Sequence, residues 1–136
     1  GLPVLDEFIH QTQGGKPENG LQGVRHFLEL PEPPTGIICY NDMIAIGVLQ
    51  GLQDASIRIP EDISVTGFDN ITFSAFTAPP LTTFDQPKRH IGAEAARLVL
   101  GLLNTKGNEE IAVQPKTQML LGSLLVRKST APPAGI

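Results

Sequence analysis

Between Gly36 and Phe68 the chain switches from one kind of apolar pattern to another and back, and that alternation constrains the fold more than any other feature. Gly36-Ile-Ile-Cys-Tyr40 is a short run rich in β-branched residues and bounded by turn formers, which predicts a buried strand. Asn41 and Asp42 follow, placed to cap the free amides of a helix expected to reach about Ala55. After a loop at Arg58-Ile-Pro-Glu-Asp62, the run Ile63-Ser-Val-Thr-Gly-Phe68 predicts a second strand, ending at Asp69-Asn70. Strand, helix and strand joined by short loops is the pattern of a βαβ unit with parallel strands, so the chain is read as α/β.

The flanks extend this pattern. Leu21, Val24, Phe27 and Leu28 recur at helical spacing and predict a helix from about Asn19 to Leu30, stopped by Pro31-Glu-Pro-Pro34. Residues 69–80 read as a loop carrying Ile71, Phe73 and Phe76, and a loop that long in a compact domain is usually functional or covered by a partner. Leu81 to Phe84 reads as extended. Pro87 suits the first position of a helix that should run to about Asn104, with Ile91, Ala95, Leu98 and Leu102 along one wide apolar face. A turn at Thr105-Lys-Gly-Asn108, a brief strand Ile111 to Val113, a longer strand from about Gln118 to Arg127 and a loose tail from Ala131 to Ile136 complete the reading.

Composition removes several functions. Fourteen acidic against ten basic residues give a net charge of −4, the wrong sign for a module that grips a phosphate backbone unaided. The lone Cys39 can form no disulfide within the chain and no four-cysteine zinc site; inside an apolar strand it reads as a small hydrophobe. No apolar run approaches the roughly 18 residues of a membrane span. The start, Gly1-Leu-Pro-Val, has neither a methionine nor a signal sequence, so a soluble piece of a longer polypeptide is expected. His10, His26 and His90 lie far apart without metal-ligand spacing and are expected to be surface or cap residues. A nucleophile elbow, a phosphate-cradling glycine loop and a zinc-protease motif are all missing, and Gly14-Gly15 is too short a signal to count. No catalytic residue, metal or cofactor is therefore expected, and binding is favoured over catalysis.

Polar side chains gather instead at the carboxyl ends of the expected strands: Asn41 and Asp42 after the first, Asp69 and Asn70 after the second, Gln86 after the extended segment. Ligands of open α/β sheets bind in the crevice beyond these strand ends. A carboxylate accepts from adjacent hydroxyls while primary amides both donate and accept, so this set suits a sugar or nucleobase. The alternative is that these Asn and Asp residues only cap helices and form turns. The run Met43–Leu49 carries no polar side chain, which fits either a helix buried on all sides or one that meets another subunit.

Three motifs, Tyr40-Asn-Asp-Met-Ile-Ala-Ile-Gly47, Ile59-Pro-Glu-Asp-Ile-Ser-Val-Thr-Gly-Phe-Asp-Asn70 and Pro79-Pro-Leu-Thr-Thr-Phe-Asp-Gln-Pro87, occur in an order and at spacings that resemble the lactose-repressor/galactose-repressor family of bacterial transcription regulators. The resemblance spans about Gly1 to Thr130 and covers only the second half of such a regulator. It implies a parallel-sheet fold like the type I periplasmic binding proteins, with two subdomains around an effector cleft. Residues 1–86 would form the C-terminal effector subdomain, 87–116 a crossover helix and strand belonging to the N-terminal subdomain, 117–130 the return strand, and 131–136 a tail. By the same resemblance Asp69, Asn41 and Gln86 would line the effector pocket, and Met43, Ile46 and Phe76 would lie in a dimer interface.

The implied role is the effector-sensing and dimerisation portion of a cytoplasmic repressor: a homodimer that binds a small sugar- or nucleoside-like molecule, has no membrane contact, and reaches DNA only through a region absent from this chain. A solute-binding module of a transporter shares the fold and is the alternative. A phosphoryl-acceptor domain using Asp69 lacks the acidic cluster and lysine it would need. Many family members place an aromatic where this chain has Gly14-Gly15-Lys16, so a ligand held by stacking is disfavoured and Lys16 would suit an anionic one. The crossover also leaves the face of Ile91, Ala95, Leu98 and Leu102 without its partner. Burying such side chains is worth about 1.5–3 kcal/mol for each large one, so this helix is expected to pack on a neighbouring copy unless the chain is only part of the native polypeptide.

Overall fold

A computed structural model describes residues 5–104 and 117–133. The chain divides into two compact units, one made of Gly1–Asp85 with Leu124–Ile136 and the other of Gln86–Ser123.

In the first unit, helix α1 spans Pro17–Leu28, strand β1 Gly36–Ile38, helix α2 Asp42–Asp54, strand β2 Ser64–Phe68 and strand β3 Thr82–Asp85. Helix α1 starts two residues before the expected Asn19, because Pro17 takes the first helical position, where its fixed φ fits and its missing N–H costs nothing. It stops short of Leu30, since the residue before a proline avoids helical backbone and Pro31 stands next. Helix α2 begins as expected, with the Asn41 side chain accepting from the Ile44 amide at 2.8 Å.

Strands β1 and β2 are parallel, with Ile37 opposite Val65, and β2 and β3 are parallel, with Thr66 opposite Thr82 and Phe68 opposite Phe84. Among the described residues a fourth strand, β4 at Ser123–Leu125, completes one sheet in the order β1-β2-β3-β4. It is much shorter than the expected 118–127, because an apolar run makes a strand only where a neighbour offers a ladder. The connection from β2 to β3 contains a 3-10 turn, Thr72–Ala75, where only a loop is expected from sequence. The expected turn at Thr105 to Asn108 and strand at Ile111 to Val113 lie outside the described residues.

The core fills one face of the sheet. Ile37, Cys39, Val65 and Leu81 meet Val24 of α1 and Ile44, Ala45, Val48, Leu49 and Leu52 of α2. The two helices cross backbone to backbone: a Cβ on Gly20 would lie 2.1 Å from the Ile44 carbonyl oxygen, and one on Gly47 would lie 1.9 Å from that of Pro17. Only glycine permits this approach. On the opposite sheet face Ile38 is 89% and Tyr40 82% exposed. His10 and His26 are neither isolated nor fully on the surface. Their rings sit 5.1 Å apart, half-buried, with His26 edge-on to Phe27, a grouping between the chain before α1 and α1 itself that sequence spacing does not reveal.

The second unit holds helix α3, Lys88–Asn104, which leaves Ile91, Ala95, Leu98 and Leu102 exposed. Among the described residues no helix is long and apolar enough to cross a membrane.

Burial pushes the Cys39 thiol up to about 12, and the nearby Asp42 carboxylate adds to the rise. A folded-state value above the unfolded one means that this group's contribution to stability is complete below about pH 8.5 and is lost as pH climbs toward the folded value. The thiol should therefore ignore a chromogenic disulfide reagent at about pH 8 and react stoichiometrically once urea unfolds the chain; rapid labelling of the native protein would contradict this burial.

Candidate functional site

The carboxyl ends of β1, β2 and β3 are held together by a buried charge. Asp42, the first residue of α2, is 0% exposed. One of its carboxylate oxygens accepts from the Thr83 hydroxyl on β3 at 2.5 Å, and the other from the Ile71 amide in the loop after β2 at 2.8 Å. Its place in the first turn of α2 adds the favourable end of the helix dipole. A Cβ on Gly67 would stand 2.2 Å from the Asp42 Oδ1 atom, so the glycine before Phe68 is the space the carboxylate occupies. All three sequence motifs are thereby one piece of architecture.

Immediately beyond Gly67-Phe68 the backbone takes an uncommon course. Asp69 has φ +113° and Asn70 +49°, two successive side-chain-bearing residues in the region that favours glycine. Such geometry costs about 1–3 kcal/mol per residue and persists only where surrounding bonds determine it. Those bonds are present. The Asp69 amide donates to the Phe84 carbonyl at 3.0 Å, the Asn70 amide to the Thr83 hydroxyl at 3.3 Å, and the Asn70 Nδ2 to Asp85 at 3.1 Å. The Asn70 Oδ1 accepts from Arg127 at 2.8 Å. Phe68 and Phe84, paired across the strands, stack with ring centroids 5.2 Å apart and planes within 7°, flanking Asp69 on both strand ends.

Of the residues singled out from sequence, Asp69 is half-buried at this turn. Asn41 stands at the end of β1 with its amide engaged twice: besides capping α2 it donates to the Gly15 carbonyl at 3.2 Å, which ties the Gly14-Gly15-Lys16 loop to the start of α2. An open hollow of about 620 Å³ lies at that end of the unit, lined by residues 10–15 and Tyr40. Lys16 is exposed and caps α1 through its backbone. Gln86 opens the second unit, half-buried, its carbonyl accepting from the Lys88 amide at 2.7 Å.

Met43 and Ile46 lie on the side of α2 turned from the core, Met43 exposed and Ile46 half-buried. Gln53, on the same helical face by spacing, donates to the Ala78 carbonyl two residues after Phe76, which is itself 81% exposed. The all-round core reading of this helix is therefore not what the fold adopts. Among the described residues no group of three His, Cys, Asp or Glu side chains could hold a metal ion.

Sequence reasoning missed Thr83, Gly67, Arg127 and the Phe68–Phe84 stack. The stack had a signal, since each Phe precedes an Asp at a strand end. Arg127 had none.

Residues 5–130 match the family described as periplasmic binding protein-like domain. The HTH-type transcriptional repressor PurR of Vibrio atlanticus (strain LGP32) is 46% identical over 83 residues, which are 61% of this chain and 25% of that protein. The HTH-type transcriptional repressor CytR of Escherichia coli (strain K12) is 43% identical over 83 residues, 61% of this chain and 24% of that protein. Among solved structures, a LacI family transcriptional regulator from Enterococcus faecalis V583 with bound ribose superposes with a TM-score of 0.73 at 36% identity, covering 86% of this chain and 41% of that one. The chain thus spans about a quarter of the length of these two repressors.

Replacing Asp42 by Asn should expose what the carboxylate holds. Thr83 and Ile71 donate to different carboxylate oxygens, and an amide puts an NH2 group in place of one of them; hydrogen bonds to a charged group contribute about 1.5–3 kcal/mol. Urea denaturation of Asp42→Asn is expected to show a loss of at least that size with the helical circular dichroism of the folded state retained.

Proposed function

Because the chain belongs to the periplasmic binding protein-like domain family, in its lactose-repressor/galactose-repressor branch, we propose that it is the effector-sensing and dimerisation portion of a bacterial transcriptional repressor. The observation that carries this reading is the over-determined left-handed turn at Asp69 and Asn70 on the carboxyl edge of a parallel sheet, where such folds receive small molecules. A carboxylate fixed there is pre-organised to accept from neighbouring hydroxyls, and a sugar or the ribose of a nucleoside presents them in pairs. The ribose held by the Enterococcus faecalis regulator has this chemistry.

In this reading Asp69 is the principal contact, Gln86 is a further one, and Asn41, already committed to Ile44 and Gly15, offers its remaining hydrogen-bonding capacity while shaping the hollow beside Tyr40. In this reading residues 87–116 are the crossover segment of the second subdomain. No bond of the ligand is made or broken. The ligand acts by binding one arrangement of the subdomains better than another, which biases how a dimer presents its DNA-reading parts. The net charge of −4 supports assigning DNA contact to polypeptide outside these 136 residues, in the cytoplasm. The repressor names of the curated relatives favour this reading over a transporter component.

The dimer is proposed to form through Met43, Ile46 and Phe76, apolar side chains that the first unit leaves partly or wholly uncovered. Sedimentation of the full-length protein should show Ile46→Glu shifted toward monomer, since a charge at the centre of an apolar contact is desolvated without a partner; an unaltered dimer would move the interface elsewhere.

For the effector, calorimetric titration of the full-length protein with a panel of sugars and nucleosides, D-ribose first among them, identifies the ligand. Asp69→Ala is expected to weaken its binding at least about tenfold, roughly 1.4 kcal/mol. Unchanged affinity would remove Asp69 from the pocket.

A further inference from the structure

Arg127 stands 57 residues beyond Asn70 in sequence, on the segment that follows β4, and its guanidinium reaches forward into the loop that carries the candidate site. One terminal nitrogen donates to the Ser74 hydroxyl at 3.1 Å and to the Leu81 carbonyl at 2.7 Å; the other donates to the Asn70 Oδ1 at 2.8 Å. All three acceptors are neutral groups, so what they use is the fixed geometry of the guanidinium fork more than its charge. The bond to Asn70 also fixes that amide's orientation. Only with its oxygen toward Arg127 can its Nδ2 donate to Asp85, the last residue of the first unit before the chain passes into the second.

A purely structural role, fastening the return segment to the sheet, is already filled by its neighbours. The Ser129 hydroxyl donates to the Val65 carbonyl at 2.6 Å and accepts from the Thr82 amide at 2.8 Å, while the Ser129 carbonyl accepts from the Val65 amide at 2.8 Å. The Arg127 amide itself donates to the Thr82 hydroxyl at 2.9 Å. With the segment anchored by these bonds, the guanidinium is left to reach the loop.

We infer that Arg127 is a positioning residue for Asp69: its fork locks Asn70, and a locked Asn70 holds the Asp69-Asn70 backbone in its left-handed turn with the carboxylate aimed where a ligand would meet it. The hold on the turn stands independently, and its consequence for binding rests on the effector reading above. Arg127 has no contact with the ligand in this arrangement and acts only through Asn70.

Site-resolved amide hydrogen exchange on the full-length protein tests the hold without a ligand. Arg127→Met should speed exchange at Asn70 and Ile71 about tenfold or more relative to Val65, because local opening is reported by the amides that it frees. Arg127→Lys should recover part of the protection. Ser129→Ala, a change in the anchor, should speed exchange at Val65 and Thr82 instead. Should Arg127→Met fail to fold, a double comparison replaces it: Arg127→Lys should loosen Ile71 in the wild-type background and have no further effect on it in Asn70→Ala. An unchanged ratio of Ile71 to Val65 exchange, or the same exchange pattern for Arg127 and Ser129 variants, would overturn the inference. Calorimetry with D-ribose separates it from the effector reading. If Arg127→Lys and Asp69→Ala both weaken ribose while Ser129→Ala does not, the turn serves the site. If the exchange result holds and Asp69→Ala leaves ribose affinity unchanged, the clamp stands and the assignment of Asp69 to the pocket falls.

Discussion

The buried carboxylate of Asp42 is the constraint on which the rest of the first unit depends. A charge removed from water must be matched, and here two hydrogen bonds do so, from the Thr83 hydroxyl on β3 and the Ile71 amide in the loop between β2 and β3, with the dipole of α2 adding to them. Satisfying one side chain therefore fixes the start of a helix, a strand that is not its sequence neighbour and the path of the chain past the sheet edge. Gly67 is the condition for this, since any Cβ there would take the carboxylate's place. Burial, with the same charge beside it, pushes the Cys39 thiol pKa up.

From that anchor the strained turn at Asp69 and Asn70 follows. Thr83 is shared: its hydroxyl donates to Asp42 and accepts from the Asn70 amide, so the bonds that settle the buried charge also settle the backbone of the candidate site. Arg127 and Asp85 hold the Asn70 side chain from two further directions. The cost of two left-handed residues is thus borne by a network whose members stand at the ends of β2 and β3 and on the return segment. A ligand that bonded to Asp69 would meet a residue whose backbone ordering cost folding has already covered, and such pre-organisation favours binding by a small site.

Much of this was legible in the sequence where the signal is local. The β-branched run at Gly36 to Tyr40, the Asn-Asp pair before α2 and the second run ending in Gly-Phe-Asp announce the βαβ unit, because strand and helix periods are written in neighbouring residues. Asn41 was readable as a cap for the same reason. The motif residues around Asp69 were readable as a strand end rich in polar groups. What local pattern could not give was partnership. The apolar stretch from 118 onward reads as a long strand, yet only Ser123–Leu125 pairs. His10 and His26 look like scattered surface residues, yet their rings meet across sixteen positions of sequence. Arg127 reads as one basic residue in a tail.

The sequence by itself determined the βαβ unit between Gly36 and Phe68, the parallel sense of its two strands and the polar residues at their carboxyl ends, because hydrophobic period, capping chemistry and turn formers act over a few positions. Only the tertiary structure decided that Asp42 is a buried tie as well as a helix-terminal residue, that Gly67 is glycine for the sake of a carboxylate 25 residues away, and that the turn at Asp69 is clamped from Asn70 by Arg127. Each of these is a hydrogen bond or a steric exclusion between distant parts of the chain. Such contacts leave no periodic trace in sequence, since one donor can be met by an acceptor anywhere the fold brings close.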